Sequence, residues 1–243
     1  MTNKKISVAL CVPVIHTMPG AFFKHYMNFY LYNSEKYNLF PICEVHYITE
    51  YARNRMINKL LDVDNIPDYF LFIDSDMILE PKLLDKLIEA DKDVISGLYF
   101  QKHRPYFPLA MNIRHFKNEN GTDKSKYVWS TNFKVGEIQE IDACGAGALL
   151  IKSSVFEKVK SPWFKYVTDK NGCPVGEDIY FCKKLQNNGF KIWLHAGTII
   201  DHIGNSMVNI TNFSECKAKQ EFVEESETGL QPDSFETDDY NII

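Results

Sequence analysis

The chain predicts an α/β protein: an open, mostly parallel sheet flanked by helices, with a small antiparallel insertion. Three observations carry that expectation. The first hundred or so residues alternate short apolar runs with amphipathic stretches, a rhythm that lays successive strands side by side in parallel. The runs at 6–14 (ISVALCVPV) and 69–73 (YFLFI) are apolar throughout, as strands covered on both faces must be. The second of them leads straight into Asp74-Ser75-Asp76, at the carboxyl edge where open sheets of this kind bind ligands.

Taken in order, residues 6–14 form the first strand, punctuated by Pro13 and Gly20 before an aromatic-rich helix over 21–32. A second strand at 42–48 leads to Thr49, a good N-cap, and to a helix over 50–62 with Met56, Ile57, Leu60 and Leu61 on one stripe. After the strand at 69–73, Pro81 suits the first turn of a helix over 81–90, and 93–98 (DVISGL) makes another strand. Residues 101–136 are polar, aromatic and irregular, and read as a loop-and-hairpin insertion of the kind that sets substrate choice. The segment from Glu137 reads as a strand, a Gly145-Ala146-Gly147 turn, a second strand and a helix. That turn lets a backbone or ligand approach closely, but it fits no phosphate-binding fingerprint. A helix over 176–188 opens with Glu177 and Asp178 and stops at Gly189, and FKIWLH forms the last strand before IIDHIGN.

The 243 residues are 45% hydrophobic and 14% aromatic, enough for one large domain over 1–213. Charge is uneven. Nine acids against two lysines put −7 on residues 214–243, out of a total of −5, and that tail is expected to be partly disordered. The body carries no Lys/Arg cluster, which argues against nucleic acid as a partner. No apolar stretch is long enough to span a membrane, and the start lacks a signal-peptide core. The six cysteines show no zinc-like spacing; Cys11, Cys43 and Cys144 sit in apolar runs and read as buried thiols of a reducing, cytoplasmic compartment. In that setting the sequons at Asn120, Asn209 and Asn212 are accidental.

In an extended chain, Asp74 and Asp76 leave the strand on one face and Ser75 on the other. Two carboxylates so placed repel each other unless a cation lies between them. A helix cap needs only one acid. The pair therefore points to a divalent-metal site.

The ordered set of a first strand ending near Pro13, ARN (52–54) on a helix, an apolar strand into DSD (74–76), ISGLYF, the G-A-G turn before LLIK, GED (176–178) on a helix and a late DHIG (201–204) resembles the GT-A class of nucleotide-sugar glycosyltransferases. The resemblance covers residues 6 to about 205 and is similar in particular to glycosyltransferase domains encoded by large algal DNA viruses. It implies a GT-A-like (Rossmann-like) fold, a nucleotide-sugar donor, UDP-linked for preference, and Mn²⁺ or Mg²⁺. Asp76 would then be a direct metal ligand. Asp74 would bind metal directly, through water, or hold the donor's ribose, with Ser75 beside it. His202 would be the third ligand, and an oxygen-plus-imidazole set favours Mn²⁺ over Ca²⁺. Arg53 and Asn54 would face the nucleotide, a guanidinium there suiting a diphosphate or a base carbonyl. Pro13 and Val14 would line the base pocket, though core packing fits them as well.

Asp178, with Glu177, matches the position that activates the acceptor in inverting relatives; both acids equally suit the first turn of a helix. Trp163, Tyr99 and Tyr106 are candidates for stacking on sugar rings, while His195 and Arg55 read as structural and solvated. The expected activity is transfer of a hexose or deoxyhexose from a UDP- or GDP-sugar to a hydroxyl of a glycan or glycoprotein, in the host cytoplasm if the chain is viral. Further domains of a larger polypeptide are compatible with this length. The other readings are a non-catalytic nucleotide- or sugar-binding module and a sugar nucleotidylyltransferase. The latter class carries a glycine-rich basic loop after its first strand, which CVPVIHTMPG lacks.

Overall fold

A computed structural model describes residues 5–169, 172–204 and 207–219. The first half of the chain builds β1 (Ser7–Val14), α1 (Gly20–Ser34), β2 (Asn38–Val45), α2 (Thr49–Leu61), β3 (Tyr69–Ile73), β4 (Met77–Ile78), α3 (Leu83–Glu89) and β5 (Val94–Leu98). The middle adds β6 (Ala110–Lys117), β7 (Asp123–Trp129), β8 (Ile138–Ile141), β9 (Ala143–Cys144), β10 (Ala148–Lys152) and α4 (Ser154–Lys158). There follow β11 (Val167–Thr168), β12 (Pro174–Val175), α5 (Glu177–Asn187), β13 (Ile192–Ile199), β14 (Asp201–Ile203), β15 (Met207–Val208) and α6 (Ile210–Ala218).

The central sheet has seven strands in the order β2-β1-β3-β10-β5-β13-β8. β2, β1 and β3 are mutually parallel, as are β5 and β13. Between these groups β10 runs antiparallel to both neighbours, and β8 closes the far edge antiparallel to β13. The expected α/β class, mostly parallel with small antiparallel sheets, is what forms. Strand alternation sorts the core into two layers. Ala9, Cys11, Phe70, Phe72, Leu149 and Ile151 face one side with Met56 and Ile57 of α2 and Phe181 of α5. Val8, Leu10, Leu71, Ile73, Ala148 and Leu150 face the other with Phe22 and Phe29 of α1 and Leu83, Leu84 and Leu87 of α3.

Several boundaries move, each for a physical reason. β2 lies earlier than expected because it is an edge strand with an exposed outer face, so its apolar signal is diluted and Pro41 is tolerated. On that exposed edge Cys43 is accessible, whereas Cys11 and Cys144 are buried. Thr49 falls inside the first turn of α2, whose N-cap is Ile48, and α3 begins two residues beyond Pro81. The strand expected before the glycine turn breaks at Asp142. There its carboxylate accepts from the Ile113 N–H (2.6 Å) and the Gln186 amide (3.1 Å), sending β8 to the central sheet and β9 to the β6–β7 hairpin. The hairpin itself is the expected insertion. Helix α6 crosses the proposed start of the tail at 214 and buries Phe213 and Cys216; residues 220–243 of that tail lie outside the described residues.

Candidate active site

Because β10 runs back from the carboxyl edge, its first residues meet the end of β3: Ala148 pairs with Ile73, and Asp74 N–H donates to the Gly147 carbonyl at 3.0 Å. The glycine turn is thereby placed against the DSD segment. A β-carbon on Gly145 would overlap the Tyr99 hydroxyl, and one on Gly147 would stand 2.5 Å from Met77 Cε and 3.0 Å from Asp74 Oδ2. Only glycine admits these approaches. The Tyr99 oxygen accepts from Gly147 N–H at 2.8 Å, and the ring is buried beneath the turn, edge-on to His202.

The two aspartates do not share a face. The chain turns at Ser75, with Met77 N–H donating to the Asp74 carbonyl at 3.2 Å, so the extended alternation expected for DSD is lost. Asp74 Oδ1 accepts from Arg53 Nη2 at 2.7 Å, while Asp76 is gripped by Lys102 through Oδ2. Asp76 Oδ1 stands 3.4 Å from His202 Nε2, at ion-pair distance, and is buried without a hydrogen-bond partner. Burial would raise the Asp76 carboxyl, but its contacts with His202 and Lys102 outweigh that and hold it below its ordinary value. Ser75 is half-buried at the tip of the turn.

His202 sits on β14, paired with Met77 of β4, and its Nδ1 lies 2.7 Å from the Phe100 carbonyl. A carbonyl only accepts, so in the neutral ring Nδ1 carries the hydrogen and Nε2 turns a lone pair toward a buried carboxylate oxygen. Two lone pairs so opposed call for a proton or a cation. The Asp76–His202 donor pair therefore fits a divalent ion of the Mn²⁺ or Mg²⁺ type. Among the described residues no three His, Cys, Asp or Glu side chains form a ready-made metal cage, because Asp74 is turned to Arg53.

Arg53 is 3% exposed and bridges two elements: Nη2 holds Asp74 and Nη1 holds Glu177 at the start of α5. Its ring neighbour is Phe164, 5.4 Å from the guanidinium. Burial works against its charge, and Asp74, Glu177 and Asp178 more than restore it. Asp178, half-buried beside the buried Glu177, folds back on its helix: Oδ1 accepts from Ile179 N–H at 2.8 Å, and Oδ2 faces the glycine turn, 3.5 Å from where a Gly145 β-carbon would be. Burial first, then Glu177, pushes its carboxyl up to about 7 against the pull of Arg53. The site thus holds one acid kept ionised, Asp76, and one poised near neutrality, Asp178. Environments that drive two carboxyls apart in this way suit acid–base division of labour.

Other expected residues have different tasks. Asn54 spends its amide on the backbone of Trp163 (2.9 Å) and Phe164 (2.7 and 3.1 Å). Trp163 is buried and donates to the Val159 carbonyl at 2.7 Å, so it has no face for a sugar. Pro13 and Val14 end β1 in the core, and Arg55 pairs with Glu44 at 3.2 Å instead of standing alone in solvent. His195 is structural, its Nδ1 accepting from Gly197 N–H at 3.1 Å. Tyr106 is half-buried in the loop after β5. Lys102 was not anticipated: one lysine in a polar stretch carries no signal until the fold sets it beside Asp76.

No family model and no curated protein matches the sequence. Solved structures do match. A197 from STIV superposes with a TM-score of 0.55 at 17% identity, over 82% of this chain and 86% of that one, which establishes a shared fold. The catalytic domain of Drosophila β1,4-galactosyltransferase 7, solved with xylobiose, reaches 0.49 at 14% identity over 82% and 71% of the two chains. A glycosyltransferase involved in glycosylation of the major capsid of PBCV-1 reaches 0.32 at 13% identity over 65% and 69%. At those scores the last two carry no argument about this chain.

Proposed function

We propose that the chain is a metal-dependent glycosyltransferase that moves a hexose or deoxyhexose from a nucleoside diphosphate sugar, UDP-linked for preference, to a glycan hydroxyl. The observation that supports this reading above the others is that one glycine turn brings Asp74, two residues from the cation-hungry Asp76–His202 pair, against Asp178, a half-buried carboxyl poised near neutral pH. Asp76 and His202 would hold the ion, which when bound neutralises the diphosphate as it departs. Arg53 fixes Asp74 at the donor side and Glu177 at the acceptor side in one rigid unit. Asp178 Oδ2, facing the turn, would take the proton of the attacking hydroxyl, and a base titrating near 7 is matched to that task. Tyr99, with its oxygen accepting from Gly147 N–H, keeps the turn between Asp74 and Asp178 in shape.

The test is thermal stabilisation by UDP and GDP with and without Mn²⁺, in wild type and Asp76→Asn. Ligands of the native state raise its melting temperature. UDP stabilisation that requires Mn²⁺ and disappears in Asp76→Asn supports the reading. Equal stabilisation without metal, or in the variant, refutes it.

A further inference from the structure

We propose that Lys102 is an exchangeable counter-ion, neutralising Asp76 until a divalent cation takes that carboxylate and then turning to the diphosphate of the nucleotide. The inference rests on the reading of Asp76 and His202 as metal donors and adds to it an anion-binding residue and a coupling between the two ligands.

The two oxygens of Asp76 have unlike partners. Oδ1 faces His202, which is buried on β14 and tied to the Phe100 carbonyl at 2.7 Å. Oδ2 holds Lys102, whose side chain is 43% exposed. The histidine side is fixed and the lysine side is free to leave. The loop carrying Lys102 is itself well tied. Phe100 bridges Pro108, Gln101 N–H donates to the Phe107 carbonyl at 2.9 Å, Leu109 N–H to the Tyr99 carbonyl at 2.9 Å, and Tyr106 N–H to the His103 carbonyl at 2.9 Å. Tyr106 adopts φ +60°, a conformation a non-glycine residue keeps only where its surroundings impose it. Rotation of one side chain therefore suffices for the exchange, with the backbone unmoved.

The physics sets the direction. A lysine–carboxylate pair open to solvent is a weak partner. A divalent ion bound to Asp76 and His202 binds more strongly and repels the ammonium beside it. Lys102, a point charge on a flexible stem, then finds its next partner in the phosphate oxygens that the ion also attracts. Cation and anion are thus coupled: Mn²⁺ frees the lysine for the nucleotide, and the nucleotide draws the lysine off the metal site, each tightening the other by the same factor.

The experiment measures Mn²⁺ binding by the electron paramagnetic resonance signal of the free ion, and UDP binding by calorimetry with Mn²⁺ saturating. It uses the full chain with Lys102→Met, Lys102→Arg and Asp76→Asn, and melting temperatures verify the fold of each. Lys102→Met is expected to bind Mn²⁺ alone several-fold more tightly and to lose about tenfold in UDP affinity, the scale of one charge-assisted hydrogen bond. Lys102→Arg retains UDP binding. Unchanged Mn²⁺ and UDP affinities in Lys102→Met overturn the exchange while leaving the metal reading standing, and so does weaker Mn²⁺ binding. Wild type that binds no Mn²⁺, or binds it equally in Asp76→Asn, overturns the metal reading and the exchange with it.

Discussion

At the scale of the residue, Asp178 ties stability to pH in a direction opposite to most acids. Its carboxyl rises from 3.8 to about 7 in the folded protein. A group that holds its proton more tightly when folded favours the fold fully below its unfolded value, and that contribution is lost as pH rises through the folded value. Wild type should therefore lose melting temperature from about pH 4 to about pH 7, and Asp178→Asn should flatten the decline. A variant with the same slope as wild type would mean that this carboxyl is not the titrating group. Asp76 works in the opposite sense: its lowered value adds stability that is lost only in acid, below the ordinary 3.8, so the two windows do not overlap. The proposed activity runs against stability here. The base form of Asp178 that the proposed transfer calls for is the form the fold tolerates least.

The sequence made the acids legible because carboxylates at strand ends and helix starts occupy predictable places on an α/β edge. Their partners were another matter. Arg53 lies on a helix whose pattern shows no reason for a buried guanidinium until Asp74 and Glu177, distant in sequence, close around it. Asn54 beside it has the same local context, yet its amide bonds the backbone of Trp163 and Phe164. Neighbouring residues on one helix turn face different directions, and only packing assigns them.

At the scale of the element, the glycine turn has the least freedom. Gly145→Ala would drive a methyl into the Tyr99 hydroxyl, and overpacking of this kind costs about 1–3 kcal/mol. Removing the hydroxyl in Tyr99→Phe makes room but leaves the Gly147 N–H without its acceptor. Urea unfolding of both single variants and the double variant should show the pair less destabilised than the sum of its parts, because the two changes share one space. Strict additivity would show that the hydroxyl is not what excludes the methyl. The DSD segment teaches the complementary lesson: an apolar strand locates its own end, but whether the following acids stay extended or turn depends on the hydrogen bond from Asp74 to Gly147, made by a strand more than seventy residues later.

At the scale of the whole molecule, the parallel order of β1, β2 and β3 follows from short crossovers and was readable from the rhythm of the first hundred residues. The direction of β10 was not. ALLIK is as apolar as any buried parallel strand, and nothing in its composition says that it enters from the carboxyl edge. That antiparallel insertion is what carries Gly145 and Gly147 to the acids, so the site's architecture depends on the least legible strand in the sheet.

The same strand has a consequence for synthesis. Until residue 152 has emerged, β3 and β5 have no shared neighbour, and a nascent chain presents the raw hydrogen-bonding border of β3 and both borders of β5, flanked by Phe70, Phe72, Val94 and Ile95. The keystone arrives late, and pairing across such a gap in the chain is slow. A fragment ending at residue 136 should aggregate on expression, whereas one extended through β13 should remain dispersed; a well-behaved monomer from the shorter fragment would show that the open borders shelter themselves. A polypeptide built this way stays exposed to its neighbours on the ribosome for more than half its length.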